Sequence, residues 1–412
     1  MDSRGSSARG AYRFVHTSDL RLDAAVRGIG MAPGAVRTAL RDATLEAWSA
    51  LVELAIEREA AFVIIAGGLF DADTPTLRAC VALRDGLHRL RAHAIDAFIA
   101  LTPADAAAVA SLSSLGCPAT FFAPEPGPPA RVMRGGECLA VLHGTSGDAG
   151  GAGRLVDAVR RNGAGVEIGV LPVAPDDVQG SARLAGTGLD YWALGGSPRS
   201  AVLQERPWIV LPGSPQGRGL DDAERGQKGC MVVEVDNRAV AGAALAALDR
   251  ARFAALDVDV GGCPDIAAMR RHLQRALERV AVAGDRLAVV EATLRGALAP
   301  GLRAHRLGVA DELLAGLRRA ASMAGAPVWW AAVRDNTDAP ERAAAPPGDL
   351  RRIVSEQSEA LRAPLPRSSF LAHAFAPLLQ LGHAESDLEA QRTLVRDAAA
   401  LALDMLGIED KR

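Results

Sequence analysis

Residues 62–71 read Phe-Val-Ile-Ile-Ala-Gly-Gly-Leu-Phe-Asp. Five apolar residues followed by two glycines predict a strand at 62–66 that is buried on both faces and ends in a turn. Strands of this kind belong to parallel sheets that are covered by helices. Upstream, an amphipathic helix is predicted at 36–59, and a strand at 12–16 that ends in the loop Thr17-Ser18-Asp19. This order of elements predicts an α/β fold.

The same alternation of strands and helices continues downstream to residue 236, so the sheet should be large. A helix is predicted at 76–93. Strands are predicted at 95–101, 139–143, 166–171, 191–194, 208–211 and 231–235. Two segments rich in glycine and proline, 123–129 and 147–153, have no periodic apolar face and are predicted to be surface loops.

Beyond residue 236 the pattern changes to alanine-rich sequence. A helix at 266–282, a strand at 286–294, a helix at 310–321 and a strand at 327–333 predict a small α+β domain. Residues 335–348 have the composition of a linker, and 350–412 are predicted to be helical. The last helix, 386–406, carries an apolar stripe that must pack on another surface. The predicted division is a disordered N-terminus at 1–11, a first domain at 12–240, a second at 241–340, and a linker with C-terminal helices at 341–412.

Composition sets further bounds on this 412-residue chain. Its 46 basic and 49 acidic residues give a net charge of -3, so no global positive field favours nucleic acid. Its five scattered cysteines form no C-x-x-C pair, which argues against a disulfide framework and a structural zinc site. No apolar run reaches the roughly 20 residues that a membrane span needs, and no signal peptide is evident. We therefore expect a cytoplasmic protein without a membrane partner.

Polar and glycine-rich loops follow the predicted strands, which is where ligands gather in α/β sheets. In chain order they read His16-Thr17-Ser18-Asp19-Leu20-Arg21, Ala66-Gly67-Gly68-Leu69-Phe70-Asp71, Ala100-Leu101-Thr102-Pro103-Ala104-Asp105, Asp190-Tyr191-Trp192-Ala193-Leu194-Gly195-Gly196-Ser197-Pro198-Arg199 and Leu211-Pro212-Gly213-Ser214-Pro215-Gln216-Gly217-Arg218-Gly219, followed by Lys228-Gly229-Cys230.

In order and spacing these loops resemble the calcineurin-like metallophosphoesterases, specifically the SbcD/YhaO-type DNA repair exonuclease subunits. The resemblance covers residues 12–236 and is weaker beyond, where it rests on Val328-Trp329-Trp330. It implies a four-layer α/β/β/α sandwich with a small α+β capping domain and a helical C-terminal tail. It also implies a centre of two divalent ions, usually manganese, that share a bridging carboxylate and activate water to attack a phosphodiester.

This chain departs from the ligand pattern of that family, which is D-x-H, G-D-x-x-D, G-N-H-D/E, a lone histidine and G-H-x-H. Asp19 keeps the first aspartate, but Arg21 stands at the first histidine and Gly68 at the bridging aspartate. The other departures are Pro103 at the asparagine ligand, Ala104 at the histidine that protonates the leaving group, Pro172 at the lone histidine, and Gly196 and Pro198 at the last two histidines. Asp71 and Asp105 keep carboxylates beside these positions. None of the eight histidines lies at a ligand position, and His16 comes closest.

Electrostatics decides what these losses imply. Two divalent ions about 4 Å apart repel by about 17 kcal/mol at an effective dielectric of 20. A site with Asp19 alone, no bridging carboxylate and an arginine beside it should not hold the pair, so we predict no cofactor and a non-catalytic protein. The alternative is an active DNA exonuclease or phosphodiesterase with a reduced or relocated metal site, whose ligands would come from Asp23, Asp71, Asp73, Asp105 and His143.

Each residue of that relocated set also has an ordinary interpretation. Asp71 and Asp73 would be turn and helix-capping residues, and Asp105 would cap a helix that starts at Ala106. His143 would bond to the backbone at a strand end.

The resemblance implies partners as well. Arg199, Arg218 and Arg225 flank loops that face nucleic acid in the family, and they are either DNA contacts or surface charges without a ligand. The C-terminal helices would bind the coiled-coil base of an SbcC/YhaN-like ATPase or pack on their own domain. Homodimers occur in the family, and a DNA-binding regulator without an ATPase is a third hypothesis.

Overall fold

The fold places two large sheets against each other. A computed structural model describes residues 11–71, 75–106, 108, 116–161, 163, 165–279, 286–299, 302 and 306–337. In the described ranges, no helix combines the length and the apolar character that a bilayer span requires. Residues 1–10 and the predicted C-terminal helices lie outside the described residues.

The first sheet has six strands in the order β12-β11-β1-β2-β3-β4. Its strands are β1 (Tyr12–Thr17), β2 (Phe62–Ala66), β3 (Asp96–Ala100), β4 (Thr120–Phe121), β11 (Gly229–Asp236) and β12 (Ala239–Ala247). β2 runs parallel to β1, with Val15 opposite Val63, whereas β11 runs antiparallel on the other side of β1. The carboxyl ends of β1, β2 and β3 therefore meet at one edge of the sheet.

The second sheet also has six strands, in the order β5-β6-β7-β8-β10-β9. Its strands are β5 (Ala130–Arg134), β6 (Glu137–Gly144), β7 (Val166–Leu171), β8 (Tyr191–Leu194), β9 (Ala201–Glu205) and β10 (Trp208–Leu211). β6, β7, β8 and β10 are parallel, which again gathers their following loops at one edge.

An apolar layer between the two sheets forms the centre of the molecule. The Phe14 and Phe62 rings stack with centroids 4.8 Å apart, and Tyr191 of the second sheet meets Phe14 edge-on at 5.3 Å. Ile64, Phe98, Leu142, Ile168 and Val170 are also buried in this layer. Burial on both faces explains why β2 is an uninterrupted apolar run, and the one charged residue of β7, Glu167, is buried in contact with His143.

Helices cover the outer faces. α1 (Gly34–Glu57) and α2 (Leu77–Ala92) bury Trp48, Leu51 and Leu83 against the first sheet. α3 (Ala149–Ala158) and α4 (Ser181–Ala185) bury Leu155 and Leu184 against the second. The predicted α/β/β/α sandwich is therefore confirmed.

A third sheet follows in the chain, in the order β13-β14-β15. Its strands are β13 (Ala251–Asp259), β14 (Leu287–Arg295) and β15 (Val328–Asp335), and the helices between them are α5 (Ile266–Arg279) and α6 (Arg306–Met323). The chain divides into two compact units. The first comprises Met1–Ala255, Val280–Glu291 and Ala321–Ala332, and the second Leu256–Arg279, Ala292–Ala320 and Val333–Arg412. The predicted domain boundaries at 240 and 340 stay predictions.

The predicted surface loop at 147–153 is wrong from Ala149 onward, because α3 begins there. The Asp148 carboxylate caps this helix by accepting hydrogen bonds from the Gly150 and Gly151 N–H groups at 3.0 and 3.1 Å. This cap and the burial of Leu155 outweigh the low helix propensity of the glycines. β12 and β13 were also missed. The alanine-rich sequence of β12 gives little contrast between the two faces of a strand, whereas Leu256-Asp257-Val258-Asp259 in β13 does alternate as a strand should.

His16 joins the two sheets inside the apolar layer, where it is fully buried. Its Nε2 lies 3.2 Å from the Leu194 carbonyl oxygen and its Nδ1 2.9 Å from the Tyr191 hydroxyl. Because a carbonyl oxygen only accepts, Nε2 carries the proton and Nδ1 accepts from Tyr191. Burial lowers the pKa of His16 from 6.5 to about 3. The imidazole is therefore neutral in the folded protein.

We expect His16 to make the fold acid-sensitive. Between pH 6.5 and about 3 the unfolded chain binds a proton here and the folded chain does not, so stability is fully present above pH 6.5 and falls as pH drops through this window. Within this pH window the free energy of unfolding should fall by about 1.4 kcal/mol per pH unit. In urea unfolding measured from pH 7 to pH 4, the free energy of unfolding should fall less steeply with decreasing pH for His16→Gln than for wild type. For His93→Gln, at an exposed histidine, it should fall as steeply as for wild type. Equal slopes for His16→Gln and wild type would contradict this role.

Candidate functional site

The loop after β1 is bound along its length to the loop after β2. The N–H groups of Asp19, Arg21 and Leu22 donate to the carbonyl oxygens of Gly67, Gly68 and Leu69, each at 2.9 Å. Asp19 and Arg21 adopt left-handed backbone conformations, with φ of 50° and 44°. This turn places the Asp19 side chain directly beside Gly68 at the edge where the strands end.

The guanidinium of Arg21 lies against the carboxylate of Asp19. Its Nη2 donates to Asp19 Oδ1 at 3.0 Å and its Nη1 donates to the Phe70 carbonyl at 3.3 Å. Burial raises the pKa of Asp19, and the charge and hydrogen bond of Arg21 partly offset that effect. A fixed positive charge thus already neutralises the one retained ligand position.

The Gly68 position has no space for a side chain. Its φ is +71°, and a Cβ built there would lie 2.7 Å from both the Cα and the Oδ1 of Asp19. Real Cβ atoms do not approach other heavy atoms this closely. The bridging carboxylate is therefore excluded by the backbone as well as missing from the sequence.

The loops after β7 and β8 of the second sheet pack against the loop after β2. A Cβ on Gly195 would lie 1.8 Å from the Ala66 carbonyl oxygen, and one on Gly196 would lie 2.9 Å from the Ala174 nitrogen. On the other side, a Cβ on Gly67 would lie 2.7 Å from the Cβ of Pro172. Of these three glycines, Gly196 is the one at a ligand position, and a Cβ there would meet main chain. Because Gly68, Pro103, Pro172 and Pro198 also supply no side-chain donor, the residues present do not fit a two-metal centre.

Asp105 fastens these loops together. Its buried carboxylate accepts from the N–H groups of Gly68 at 2.9 Å and Phe70 at 3.2 Å. It also accepts from the Thr102 N–H and hydroxyl, while the Asp105 N–H donates to the Thr102 hydroxyl. The expectation that Asp105 caps a helix starting at 106 is corrected: the helical turn starts at Pro103, Thr102 is the N-cap, and Asp105 completes a reciprocal capping box. Ala104 lies in this first turn and offers no polar group.

Asp71 pairs with arginines from two loops, the one after β1 and the one before β11. Arg218 Nη1 lies 2.8 Å from it, Arg27 Nη2 3.6 Å and Arg21 Nη1 4.0 Å. Asp71 is therefore an ion-pair partner, and the helix-capping interpretation is corrected because Thr76 caps α2. Asp73 lies outside the described residues.

The three arginines considered for DNA contact are all paired within the chain. Arg218 also contacts Glu224 at 3.0 Å, Arg225 lies 3.7 Å from Glu291, and Arg199 pairs with Asp222. These ion pairs agree with surface charge that has no ligand, and contact with DNA stays a prediction. Except for Glu224, their partners lie 23 or more residues away in the chain, so no local pattern could have identified them.

Lys228 lies directly before β11, and the sequence alone indicates no role for it. Its buried ammonium donates to the carbonyl oxygens of Pro198 and Ala223, each at 2.5 Å. Burial lowers the pKa of Lys228. This lysine anchors the loop that carries Gly196 and Pro198, so its function is structural.

The relocated-site candidates are dispersed. His143 Nε2 contacts the buried Glu167 carboxylate at 2.7 Å, so the predicted backbone bond is wrong. Asp23 accepts from the Thr76 hydroxyl at 2.6 Å and lies 3.4 Å from Arg78. Within the described part of the chain, no group of three or more His, Cys, Asp or Glu side chains is arranged to hold a metal ion.

Comparisons with known proteins support the same fold. The family model for the middle domain of metallophosphoesterase YhaO matches residues 253–338. The chain is also similar to the uncharacterized metallophosphoesterase YhaO of Bacillus subtilis (strain 168), with 26% identity over 253 residues. This alignment covers 54% of the chain and 57% of the relative, so the match spans little more than half of that protein. The resemblance to YhaO/SbcD-like metallophosphoesterases is confirmed.

We expect Gly68→Ala to destabilise the protein more than a matched substitution at an open glycine. Gly188 has a similar φ of +81° but no atom within 4 Å of a built Cβ, so Gly188→Ala measures backbone strain alone, about 1 kcal/mol. Gly68→Ala adds the collision with Asp19 and should lose about 1–3 kcal/mol more. Urea unfolding at neutral pH measures both values. Equal losses would mean that the Gly68 region has room for a side chain.

Proposed function

We propose that this YhaO-like metallophosphoesterase is a non-catalytic member that acts as a scaffold subunit for an SbcC/YhaN-like coiled-coil ATPase. The observation that carries the loss of catalysis is the Arg21 guanidinium, 3.0 Å from Asp19 and next to a Gly68 backbone with no space for the bridging carboxylate.

The charge of Arg21 opposes metal binding directly. A divalent ion about 4 Å from a guanidinium is repelled by about 8 kcal/mol at an effective dielectric of 20. One carboxylate, already paired, does not offset this repulsion. An ion at Asp19 would require the Arg21 side chain to leave its bonds to Asp19 and Phe70.

The remaining catalytic roles also lack candidates. Pro103, Pro172 and Pro198 have no side-chain donor for a metal, and Ala104 has no proton for a leaving group. Asp105, beside the Ala104 position, is occupied by four hydrogen bonds from the backbone and Thr102. Among the described residues of these loops, neither water activation nor leaving-group protonation therefore has a residue to perform it.

The loop at 212–230 is held by hydrogen bonds within the chain, which supports a scaffold role. The Gln216 amide accepts from the Arg250 and Ala251 N–H groups and donates to the Ala251 carbonyl. Together with Lys228, Gln216 holds this loop in place through hydrogen bonds within the chain, without a ligand. The sandwich can thus keep its shape with the centre closed.

Scaffolding is favoured over DNA contact through Arg199, Arg218 and Arg225. Each already pairs with a carboxylate of this chain, so a phosphate would have to replace that partner. The apolar stripe predicted at 386–406 instead offers a surface for a coiled coil.

Metal analysis of the full chain tests the loss of catalysis. After dialysis against Mn²⁺, bound manganese should be near zero, because Arg21 holds Asp19 and the bridge is absent. Hydrolysis of bis-p-nitrophenyl phosphate and of single- and double-stranded DNA ends should stay at background for wild type, Asp19→Ala and the exposed control Asp85→Ala. Manganese-dependent turnover that Asp19→Ala abolishes and Asp85→Ala preserves would establish the active hydrolase instead.

Removal of the C-terminal segment tests the scaffold role. A chain ending at Thr337 should lose binding to the coiled-coil ATPase, because the apolar stripe is removed. Its thermal melt should match the full chain, since the sandwich is untouched. Isothermal titration with the ATPase measures the binding. Undiminished affinity of the shortened chain would show that docking does not use this segment.

A further inference from the structure

Helix α5 (Ile266–Arg279) is buried on one side and basic on the other. Four of its arginines are exposed, namely Arg270, Arg271, Arg275 and Arg279. Among the residues that the structure describes, none of the four forms an ion pair or a hydrogen bond. By contrast, the exposed arginines Arg13, Arg154 and Arg238 each pair with a glutamate. The basic face of α5 is therefore without a partner in the described part of the chain.

Three of these arginines form a row along the helix. Arg271, Arg275 and Arg279 follow one another at four-residue spacing, so they lie on one face about 6 Å apart and span about 12 Å. Like charges at this spacing destabilise a helix. The helix dipole favours Arg279, in the last turn, and does not account for the other two. Within the described ranges, no contact of these side chains offsets their repulsion.

Exposed carboxylates limit the width of the row. Glu278 lies on the same helix, and Asp265 directly precedes it. On the neighbouring helix α6, a Cβ built on Gly316 would lie 3.6 Å from Arg270 Nη1, and Glu312 is exposed one turn before Gly316. The positive surface is therefore a narrow row with negative charges beside it.

We propose that α5 binds an acidic helical segment of a partner protein, whose carboxylates pair with Arg271, Arg275 and Arg279. A helix with an acidic residue at every fourth position presents one carboxylate per about 6 Å, which matches the spacing of the row. Arginine suits such a partner, because its planar guanidinium can donate two parallel hydrogen bonds to one carboxylate.

Charge density favours an acidic helix over nucleic acid as the partner. Double-stranded DNA carries one negative charge per about 1.7 Å, so about seven phosphates fall within the length of the row. The three arginines neutralise fewer than half of these, and the rest would meet the exposed Asp265 and Glu278 as like charges. An acidic helix places its charges opposite the arginines alone.

The inference does not depend on the proposed loss of catalysis, because no residue of α5 belongs to the loops of the closed centre. Exposed ion pairs are individually weak, so the complex should be weak and dependent on salt, with the charges setting its orientation.

Fluorescence anisotropy tests the proposal with the full chain and a labelled, alanine-based helical peptide of about 20 residues with glutamate at every fourth position. Wild type should bind this peptide saturably at low salt and less tightly as salt rises. Arg275→Glu, at the centre of the row, should weaken binding about tenfold or more. Arg134→Glu, at an exposed arginine of β5, should match wild type. A peptide of the same composition with its glutamates clustered at one end should bind less tightly.

Two controls separate recognition from folding. Arg275→Glu places opposite charges at four-residue spacing, so its thermal melt should not fall below that of wild type. Reversal of the whole row to glutamate should transfer binding to a peptide that carries lysine in place of glutamate.

Three results would each overturn the proposal. The first is the absence of saturable binding between wild type and the glutamate peptide at low salt. The second is equal affinity of Arg275→Glu and Arg134→Glu for this peptide. The third is tighter binding of a DNA duplex of equal length that also depends on Arg275.

Discussion

The close approach of main chains at the ends of the central strands is the constraint on which this structure depends. The loops after β1 and β2 are joined by three hydrogen bonds, and Gly195 brings a third loop against Ala66. Such contact needs residues without side chains at Gly68 and Gly195. Arg21 then pairs with Asp19 Oδ1, while Asp19 Oδ2 is buried without a hydrogen-bond partner, and Asp105 accepts from the N–H groups of Gly68 and Phe70.

This arrangement separates the stability of the sandwich from the chemistry at its centre, two properties that a metallophosphoesterase fold normally combines. The sandwich is held by apolar packing between its sheets and by His16, Gln216 and Lys228, all of which act within the protein. The loops that would bind a substrate are held by the same kinds of contact. On the proposed function, these contacts within the chain hold the sandwich and its loops without a bound metal ion.

The sequence predicts the layers of the fold well and the closed centre only in part. β2 is apolar throughout and β7 is apolar apart from Glu167, so their burial follows from their composition, and the missing ligand types at Gly68 and Pro172 are equally visible. What fills the space is not visible in the sequence, because the contact between Arg21 and Asp19 depends on two left-handed residues and on pairing with a loop 47 or more residues away. The partners of His143 and Arg218 are likewise non-local. α3 was missed for a different reason, since one capping aspartate outweighed a run of glycines.

The Gly68 contact also bears on how such a protein changes over generations. A carboxylate at this position would collide with Asp19 unless the neighbouring loop had first moved, and the loop is fixed by Arg21 and Asp105. On the proposed function, a substitution that places a carboxylate at this position should lower stability unless the neighbouring loop changes with it. A single substitution at Gly68 would therefore not rebuild a metal ligand by itself.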